Sequence, residues 1–215
     1  MGMRNKKFAA FILTHGRPDS VYTYATIRRQ GYTGPIWIVI DDEDSSAELY
    51  REKFGDEVIS FSKAEIAERF DEADNFDDRR SIVYARNACF DLAASLGVED
   101  FIQLDDDYMN FVYRFDGQRR YKGELVKSLD LLFDGMVDFM KATPTLSIAF
   151  SQGGDHMGGG EAAGLRAIKM KRKAMNTFFC RTERRFDFLG RINEDVNAYV
   201  GLGGRGGLFL SIMSL

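Results

Sequence analysis

The sequence has few cysteines and no long apolar run, and each absence argues against a class of protein. Its two cysteines, Cys89 and Cys180, lie far apart in apolar surroundings and form no metal-spaced pair. This pattern argues against a disulfide framework and a cysteine-based zinc site, so both are expected to be buried thiols. The longest apolar runs, such as residues 36–40 and 208–213, fall far short of the roughly 20 residues that a membrane-spanning helix needs. We therefore expect no membrane contact.

The chain also has no internal repeat, coiled coil or low-complexity tract. Residues 1–7 are basic, but the apolar stretch after them has the length of a strand and meets His15, Arg17 and Asp19, unlike a signal peptide. A cytoplasmic location is expected. With 215 residues, of which 45% are hydrophobic and 29% charged, the chain has the size and composition of one globular domain.

An excess of positive charge is missing as well, since the net charge is −4 and the pI is near 5.3. Nothing in the overall balance indicates nucleic-acid binding. Basic residues nevertheless concentrate between Arg166 and Arg191. This stretch is either a surface for a polyanion or a solvated charged face.

The first half of the chain alternates apolar runs with amphipathic segments. Residues 8–13 form a continuous apolar run, which predicts a buried strand. The next helix is predicted over residues 21–28 and ends at Gly31, and a second apolar run follows at 35–40. This order is typical of a β-α-β unit with parallel strands. Further strands are predicted at 57–61 and 101–104, and further helices at 45–54, 63–70 and 81–96.

The second half has a different pattern. A hairpin is predicted over residues 110–121, and the segment 151–164 is a loop with six glycines. The remaining predictions are helices at 124–141 and 193–199, a strand at 146–150 and a strand region at 167–180. The fold class is therefore α/β, with a Rossmann-like, mostly parallel central sheet flanked by helices and a small antiparallel element in the second half.

Three consecutive aspartates, Asp105, Asp106 and Asp107, follow the predicted strand 101–104. Open α/β sheets bind ligands at the carboxyl ends of their strands. Adjacent carboxylates repel one another, and burying them is costly unless a cation or a basic partner is present. Mg²⁺ or Mn²⁺ suits such oxygens and commonly holds a diphosphate as well. Asp105 and Asp107 project to the same side of an extended chain and can share an ion, although a solvated acidic turn is the alternative.

Several segments, in this order, resemble the GT-A glycosyltransferases, which use nucleotide sugars. Residues 11–17 and 38–42 are similar to the first two strands of that family and their loops. Residues 84–93 and 100–107 resemble its arginine-bearing helix and metal strand, and residues 191–196 its acidic motif. The chain looks most like the phage-type TET-associated glycosyltransferases, which attach sugars to hydroxymethylated pyrimidines in DNA. It departs from them in its acidic net charge and in lacking an obvious DNA-binding module.

The resemblance implies a set of residues at the nucleotide-sugar donor. An arginine suits a diphosphate because its guanidinium can bond two oxygens at once. For Arg86 a salt bridge to a neighbouring acid is the alternative, and for His15 a structural hydrogen bond. The donor residues implied are Thr14, His15, Arg17, Asp42, Arg86, Asn87, Asp105 and Asp106.

The resemblance also implies a metal and a base. Mn²⁺ or Mg²⁺ would be held by Asp107 and Asp105, and His156 in the glycine-rich loop is a candidate for a late ligand, or else an exposed loop histidine. The sequence stops on the apolar residues 208–215, so a family tail that could complete the donor site, and with it the late metal ligand, is expected to be missing. Asp195, with Glu194 second, is expected to be the catalytic base, although acids also favour helix N-termini.

The expected activity is transfer of a hexose from a UDP-sugar such as UDP-glucose to a base of modified DNA, in the host cytoplasm if a phage encodes the protein. One domain over residues 1–215 would divide into a donor half, 8–107, and an acceptor half, 108–215. A glycan, lipid or small-molecule acceptor and a non-catalytic nucleotide-sugar-binding module stay open. A nucleotidyltransferase would need a glycine-rich, lysine-containing loop after the first strand, and residues 14–19 contain one glycine and no lysine. Oligomeric state is left open.

Overall fold

The computed structural model describes residues 2–73, 79–118, 120–152, 168–170 and 174–215, with backbone alone for 168–170. The strands in these ranges are β1 Phe8–Leu13, β2 Ile36–Asp41, β3 Val58–Phe61, β4 Asp100–Asp105, β5 Val112–Phe115, β6 Tyr121–Leu125, β7 Ser147–Phe150, β8 Ile168–Met170, β9 Thr177–Arg181 and β10 Phe209–Ile212. The helices are α1 Tyr22–Arg29, α2 Ala47–Phe54, α3 Lys63–Ala67, α4 Val83–Ser95, α5 Leu129–Lys141 and α6 Glu194–Gly204. In the part of the chain described, none of these helices has the length and apolar character needed to cross a bilayer.

One sheet runs through the molecule in the order β3-β2-β1-β4-β9-β7-β10-β8. Strands β3, β2, β1 and β4 pair in parallel, as do β7 and β10, whereas β9 runs antiparallel to both of its neighbours and β8 antiparallel to β10. Strands β5 and β6 form a separate antiparallel pair. The predicted α/β fold, with its mostly parallel sheet and small antiparallel element, is confirmed.

Two apolar cores lie on the two faces of this sheet. Along β1, Phe8 and Ile12 pack with α1 and α5, while Phe11 packs with α4 on the opposite face. Strands covered on both faces are uniformly apolar, which is why they appeared as unbroken runs in the sequence. Cys89 and Cys180 are free thiols buried in the second core, as predicted.

Phe179 on β9 lies at the centre of the first core. Its ring centroid lies 6.1 Å from that of Phe8, 5.5 Å from Phe133 and 5.4 Å from Phe150. Replacing Phe179 with alanine is expected to lower the free energy of unfolding by about 3–5 kcal/mol, because the cavity loses these contacts. Urea denaturation measures the change. Leu131→Ala is the matched control, since Leu131 is 73% exposed and its loss is expected to cost about 0.5 kcal/mol or less. Equal effects of the two substitutions would contradict this assignment of the core.

Two parts of the second half differ from the sequence prediction. The helix predicted from residue 124 begins at Leu129, because residues 121–125 pair with β5 and Ser128 caps the helix by accepting from the Leu131 amide at 3.4 Å. The apolar stretch 208–215, for which no strand was predicted, contains β10, which lies between β7 and β8. Pairing on both edges places this short strand inside the sheet.

Candidate active site

The carboxyl ends of β1, β2 and β4 meet at one edge of the sheet. Leu13, the last residue of β1, is in register with Asp105 on β4 and with Val39 on β2. Because these strands are parallel, the residues that follow each of them lie at the same edge. The predicted acidic cluster and the loop after β1 are therefore neighbours.

Asp106 holds the loop after β1. Its side chain is fully buried, and Oδ2 accepts hydrogen bonds from Thr14 Oγ1 at 2.6 Å and Arg17 Nε at 2.8 Å. The hydroxyl of Tyr50 lies 2.9 Å from Thr14 Oγ1 and accepts from the Arg17 amide at 2.9 Å. Asp106 and Thr14, both predicted to contact the donor, thus bond to one another. Their bonds fix the backbone that carries Arg17.

A pocket of about 340 Å³ opens beside this loop. Inside it Asp41 is buried between two bases, with His15 Nδ1 2.7 Å from Oδ2 and Lys63 Nζ 2.9 Å from Oδ1. Its wall consists of residues from the ends of β1, β2 and β3 and from the start of α4, namely Leu13, Thr14, His15, Arg17, Asp41, Phe61, Lys63, Arg80, Ser81, Ile82 and Ala85.

The acid at the end of β2 that lines this pocket is Asp41 and not the predicted Asp42. Asp42 is exposed, and its Oδ1 accepts from the backbone amide of Lys63 at 2.9 Å, at the start of α3. Successive side chains of a strand point to opposite faces, so a shift of one residue changes the surroundings completely.

Arg86 lies beneath the acidic cluster. On α4, with 2% of its side chain exposed, it donates from Nη2 to Asp105 Oδ1 at 3.0 Å and from Nε to Glu194 Oε1 at 3.1 Å. Burial opposes its charge, but Asp105 and Glu194 outweigh that effect and raise the pKa of Arg86 above its ordinary value. Arg86 thus forms the salt bridges to neighbouring acids that were the alternative to a diphosphate contact.

Asn87, the next residue, hydrogen-bonds to the backbone of Phe188. Its side-chain nitrogen donates to the Phe188 carbonyl at 2.9 Å, and its oxygen accepts from the Phe188 amide at 2.8 Å. Both ends of the amide are engaged and the residue is 2% exposed. Asn87, predicted as a possible donor contact, instead fixes Phe188 against α4.

Asp105 and Asp107 retain capacity for a cation. Asp107 is exposed, and within the described residues no hydrogen bond or ion pair engages its carboxylate. Burial raises the pKa of Asp105 against the lowering effect of Arg86, and the negative charges of Asp107 and Glu194 add to the rise. A divalent ion between these acids would relieve that repulsion.

Within the residues described, no group of three or more histidines, cysteines or acids is placed to hold a metal. Asp105 and Asp107 could hold an ion only together with ligands from elsewhere, such as the diphosphate and water that Mg²⁺ commonly takes. His156 lies outside the described residues, as does most of the glycine-rich loop predicted at 151–164.

Asp195 and Glu194 open α6 beside Arg86. Both are buried, with 7% and 9% of their surfaces exposed, and the charge of Asp195 contributes to the raised pKa of Arg86. Asn193 before them adopts a left-handed conformation with φ of 55°. Asn197 donates to the carbonyls of Leu189 and Ile192 at 2.9 and 3.1 Å, which fixes the turn into the helix.

The structure also adds residues that the sequence patterns did not indicate. Asp41, Lys63 and Arg80 line the pocket, and Tyr50 supports its loop. For Asp41 the only signal in the sequence was the pair of aspartates, Asp41 and Asp42, that follows the apolar run at 35–40. Lys63 starts the helix predicted at 63–70 and Arg80 precedes the helix predicted at 81–96, where a basic residue carries no distinguishing pattern.

Comparisons with known proteins identify the family of this chain. A search of the curated proteins gives no match. A family model described as TET-Associated Glycosyltransferase matches residues 8–215, which include every element of the sheet and every residue of the site. The fold of this chain is consistent with the GT-A type. The chain therefore belongs to the TET-associated glycosyltransferase family.

Proposed function

We propose that this glycosyltransferase moves a hexose from a UDP-sugar to the hydroxyl of a 5-hydroxymethylpyrimidine base in DNA, with Mn²⁺ or Mg²⁺ and inversion at the sugar. The observation that carries the proposal is the meeting of three features at one sheet edge. A pocket with Arg17, Lys63 and Arg80 in its wall opens at the ends of β1 and β2. Arg86 bonds Asp105, two residues before the exposed Asp107, and Glu194, the buried neighbour of Asp195 at the start of α6. Sugar transfer needs the donor, the ion and the base side by side, and each of these three features would provide one of them.

The pocket suits the nucleoside end of the donor. Its volume of about 340 Å³ lies within the range of about 300–1,000 Å³ that is usual for small-molecule sites. Arg17, Lys63 and Arg80 bring positive charge to its wall, although Lys63 pairs with Asp41, and Arg17 is 58% exposed on the side chain. A diphosphate leaving this pocket toward Asp107 would meet Arg17 first.

The acids after β4 suit the ion. Asp107 would hold it, with Asp105 contributing the oxygen that Arg86 does not bond. When bound, a divalent ion neutralises charge that develops on the departing diphosphate. Asp106 would take no part, because its carboxylate bonds Thr14 and Arg17 in the interior.

Asp195 would act as the base. As the acceptor oxygen bonds to the anomeric carbon, the bond from that carbon to the β-phosphate oxygen breaks and its electron pair leaves with UDP. The hydroxyl proton passes to the Asp195 carboxylate. One Asp195 oxygen accepts from the Val196 amide at 2.7 Å, which leaves the other for the acceptor.

The basic stretch 166–191 offers less to DNA than its composition suggested. Arg181 pairs with Asp100 at 2.9 Å, and Arg185 pairs with Asp91 at 2.5 Å. Arg184 donates to backbone carbonyls after α5. These arginines bond within the protein, and the basic side chains of 166–173 lie outside the described residues. The modified base would have to leave the stack to reach Asp195.

A thermal-shift panel of nucleotide sugars with and without Mn²⁺ tests the donor. The proposal expects a rise in Tm with a UDP-sugar that depends on the metal. The preferred donor is then incubated with hydroxymethylpyrimidine DNA and the nucleosides are weighed, with unmodified DNA as control. No metal-dependent shift with any nucleotide would remove the donor assignment, and an unchanged nucleoside mass would remove the DNA acceptor.

The neighbouring acids after β2 give a matched pair of variants. Asp41→Asn is expected to raise the Kd for UDP roughly 10-fold or more, because it disrupts the bonds that hold His15 and Lys63 in the pocket wall and leaves the buried Lys63 without its ion pair to Asp41. Asp42→Asn is expected to change it less than about 2-fold, since an exposed residue outside the pocket is altered. Isothermal titration with UDP measures both. A larger effect at Asp42 would return the donor contact to the residue predicted from sequence.

A further inference from the structure

The guanidinium of Arg86 joins two parts of the chain that are far apart in sequence. Nη2 bonds Asp105 at the end of β4, and Nε bonds Glu194, 108 residues along the chain from Arg86 at the start of α6. The first acid is a proposed ligand of the ion together with Asp107, and the second adjoins the proposed base Asp195. One side chain therefore spans from the donor side of the site to the acceptor side.

The surroundings of Arg86 leave little room for a diphosphate. Its side chain is 2% exposed, and the guanidinium carbon lies 4.9 Å from the ring centroid of Phe178 and 5.8 Å from that of Phe188. The rings cover the guanidinium and the two carboxylates engage two of its nitrogens. Nη1 is buried too, with no hydrogen-bond partner among the described residues.

The support around Arg86 is equally fixed. Asn87 holds both backbone groups of Phe188, so this ring cannot move away from the guanidinium without breaking two hydrogen bonds. Gln103 on β4 donates to the Arg86 carbonyl at 3.0 Å. The arginine is therefore anchored to the sheet by its backbone and to residues 188–194 by its side chain.

We propose that Arg86 is a positioning residue that sets the separation between Asp105 and Glu194, and through them between the ion and the base. The inference rests on the proposed function and departs from the diphosphate contact that the family resemblance implied. A planar fork can bond two carboxylates at fixed angles, whereas the flexible ammonium of lysine cannot. Its single positive charge also offsets the charge of Asp105, Glu194 and the nearby Asp195.

Arg86→Lys separates the two roles, because it retains charge and loses the fork. If Arg86 positions the acids, kcat is expected to fall about 100-fold, the usual effect of a misplacement near 1 Å. The Kd for UDP measured without Mn²⁺ is expected to stay within about 3-fold of the wild-type value, since no direct donor contact is lost and the ligands of the ion do not contribute. If Arg86 bonds the diphosphate, Kd rises roughly 10-fold or more. That rise, or an unchanged kcat, would overturn the proposal.

Glu194→Gln provides a second route if Arg86→Lys does not fold. The amide oxygen still accepts from Nε, but the charge that orients Arg86 is lost, so kcat is expected to fall about 10-fold with UDP affinity retained. Combined with Arg86→Lys, the losses should fall short of the product of the single effects, because both changes weaken the same Arg86–Glu194 ion pair. Fully multiplicative losses, or a UDP affinity that falls with Glu194→Gln, would refute the linkage between the two residues.

The outcomes are distinguishable from failure of the proposed function. A wild-type protein that binds no UDP-sugar and transfers no hexose removes the function itself, before any Arg86 variant is compared. A wild-type protein that is active, with variants that lose donor affinity rather than turnover, removes the positioning role alone.

Discussion

Asp195→Asn is expected to reduce the rate of sugar transfer by about 10²- to 10⁴-fold, the usual contribution of a general base. Asparagine has the same shape but cannot take the proton of the acceptor hydroxyl. UDP-sugar binding should be retained, because Asp195 lies at the start of α6 and not in the wall of the pocket. Single-turnover transfer to the acceptor, under saturating donor, measures the change.

Glu194→Gln is the matched control for this prediction. Glu194 bonds Arg86 and Asp195 does not, so loss of the Glu194 charge should affect the rate far less than loss of the Asp195 charge. A reversed order, with Glu194→Gln the more damaging change, would make Glu194 the base. Transfer by Asp195→Asn at the wild-type rate would exclude Asp195 from the chemistry.

Asp107→Asn is expected to remove the metal dependence of donor binding. Loss of a residue that only supports a metal ligand costs about 10- to 100-fold in affinity, so loss of the ligand itself should cost at least about 100-fold. Asp107 is exposed and engages no described side chain, so the Tm without ligand should not change. Titration of the UDP-sugar with and without Mn²⁺ checks both statements.

The adjacent Asp106 gives the opposite result under the same experiment. Asp106→Asn should lower the Tm without ligand, because it weakens buried bonds to Thr14 and Arg17. Metal-dependent donor binding should persist in whatever fraction is folded. If instead Asp106→Asn loses Mn²⁺-dependent donor binding and Asp107→Asn keeps it, the ion is held on the other side of β4. The assignment of Asp107 as the metal ligand would then be wrong.

The sheet was predictable because its strands are buried on both faces. β1 is an uninterrupted apolar run, β2 is apolar up to Asp41, and β4 carries the apolar Phe101, Ile102 and Leu104. Gly31 and Gly97 end the helices before β2 and β4 with φ of 83° and 67°. Glycine adopts this left-handed conformation without the steric cost that other residues meet. β10 was not predicted, because its place depends on β7 and β8 rather than on a local pattern.

The site was predictable in its location but not in the roles of its residues. The separation of Asp106 from Asp105 and Asp107 follows from strand periodicity, and the structure puts Asp106 in the interior. Whether Asp41 or Asp42 faces the pocket depends on where β2 ends, and strand boundaries are the least certain part of a prediction from sequence. The partners of Arg86 lie 19 and 108 residues away, beyond the reach of any local motif.

The bonds from α4 to residues 188–194 also bear on how such an enzyme diverges. Ser81, Arg86 and Asn87 hold Arg191, Glu194 and Phe188, so the acid-bearing turn is secured by the start of one helix. Much of the chain between them, including the β5–β6 hairpin, takes no part in that attachment. Surface segments of this kind tolerate exchange and insertion. Substrate preference can therefore drift through them during evolution while the chemistry at the sheet edge is inherited unchanged.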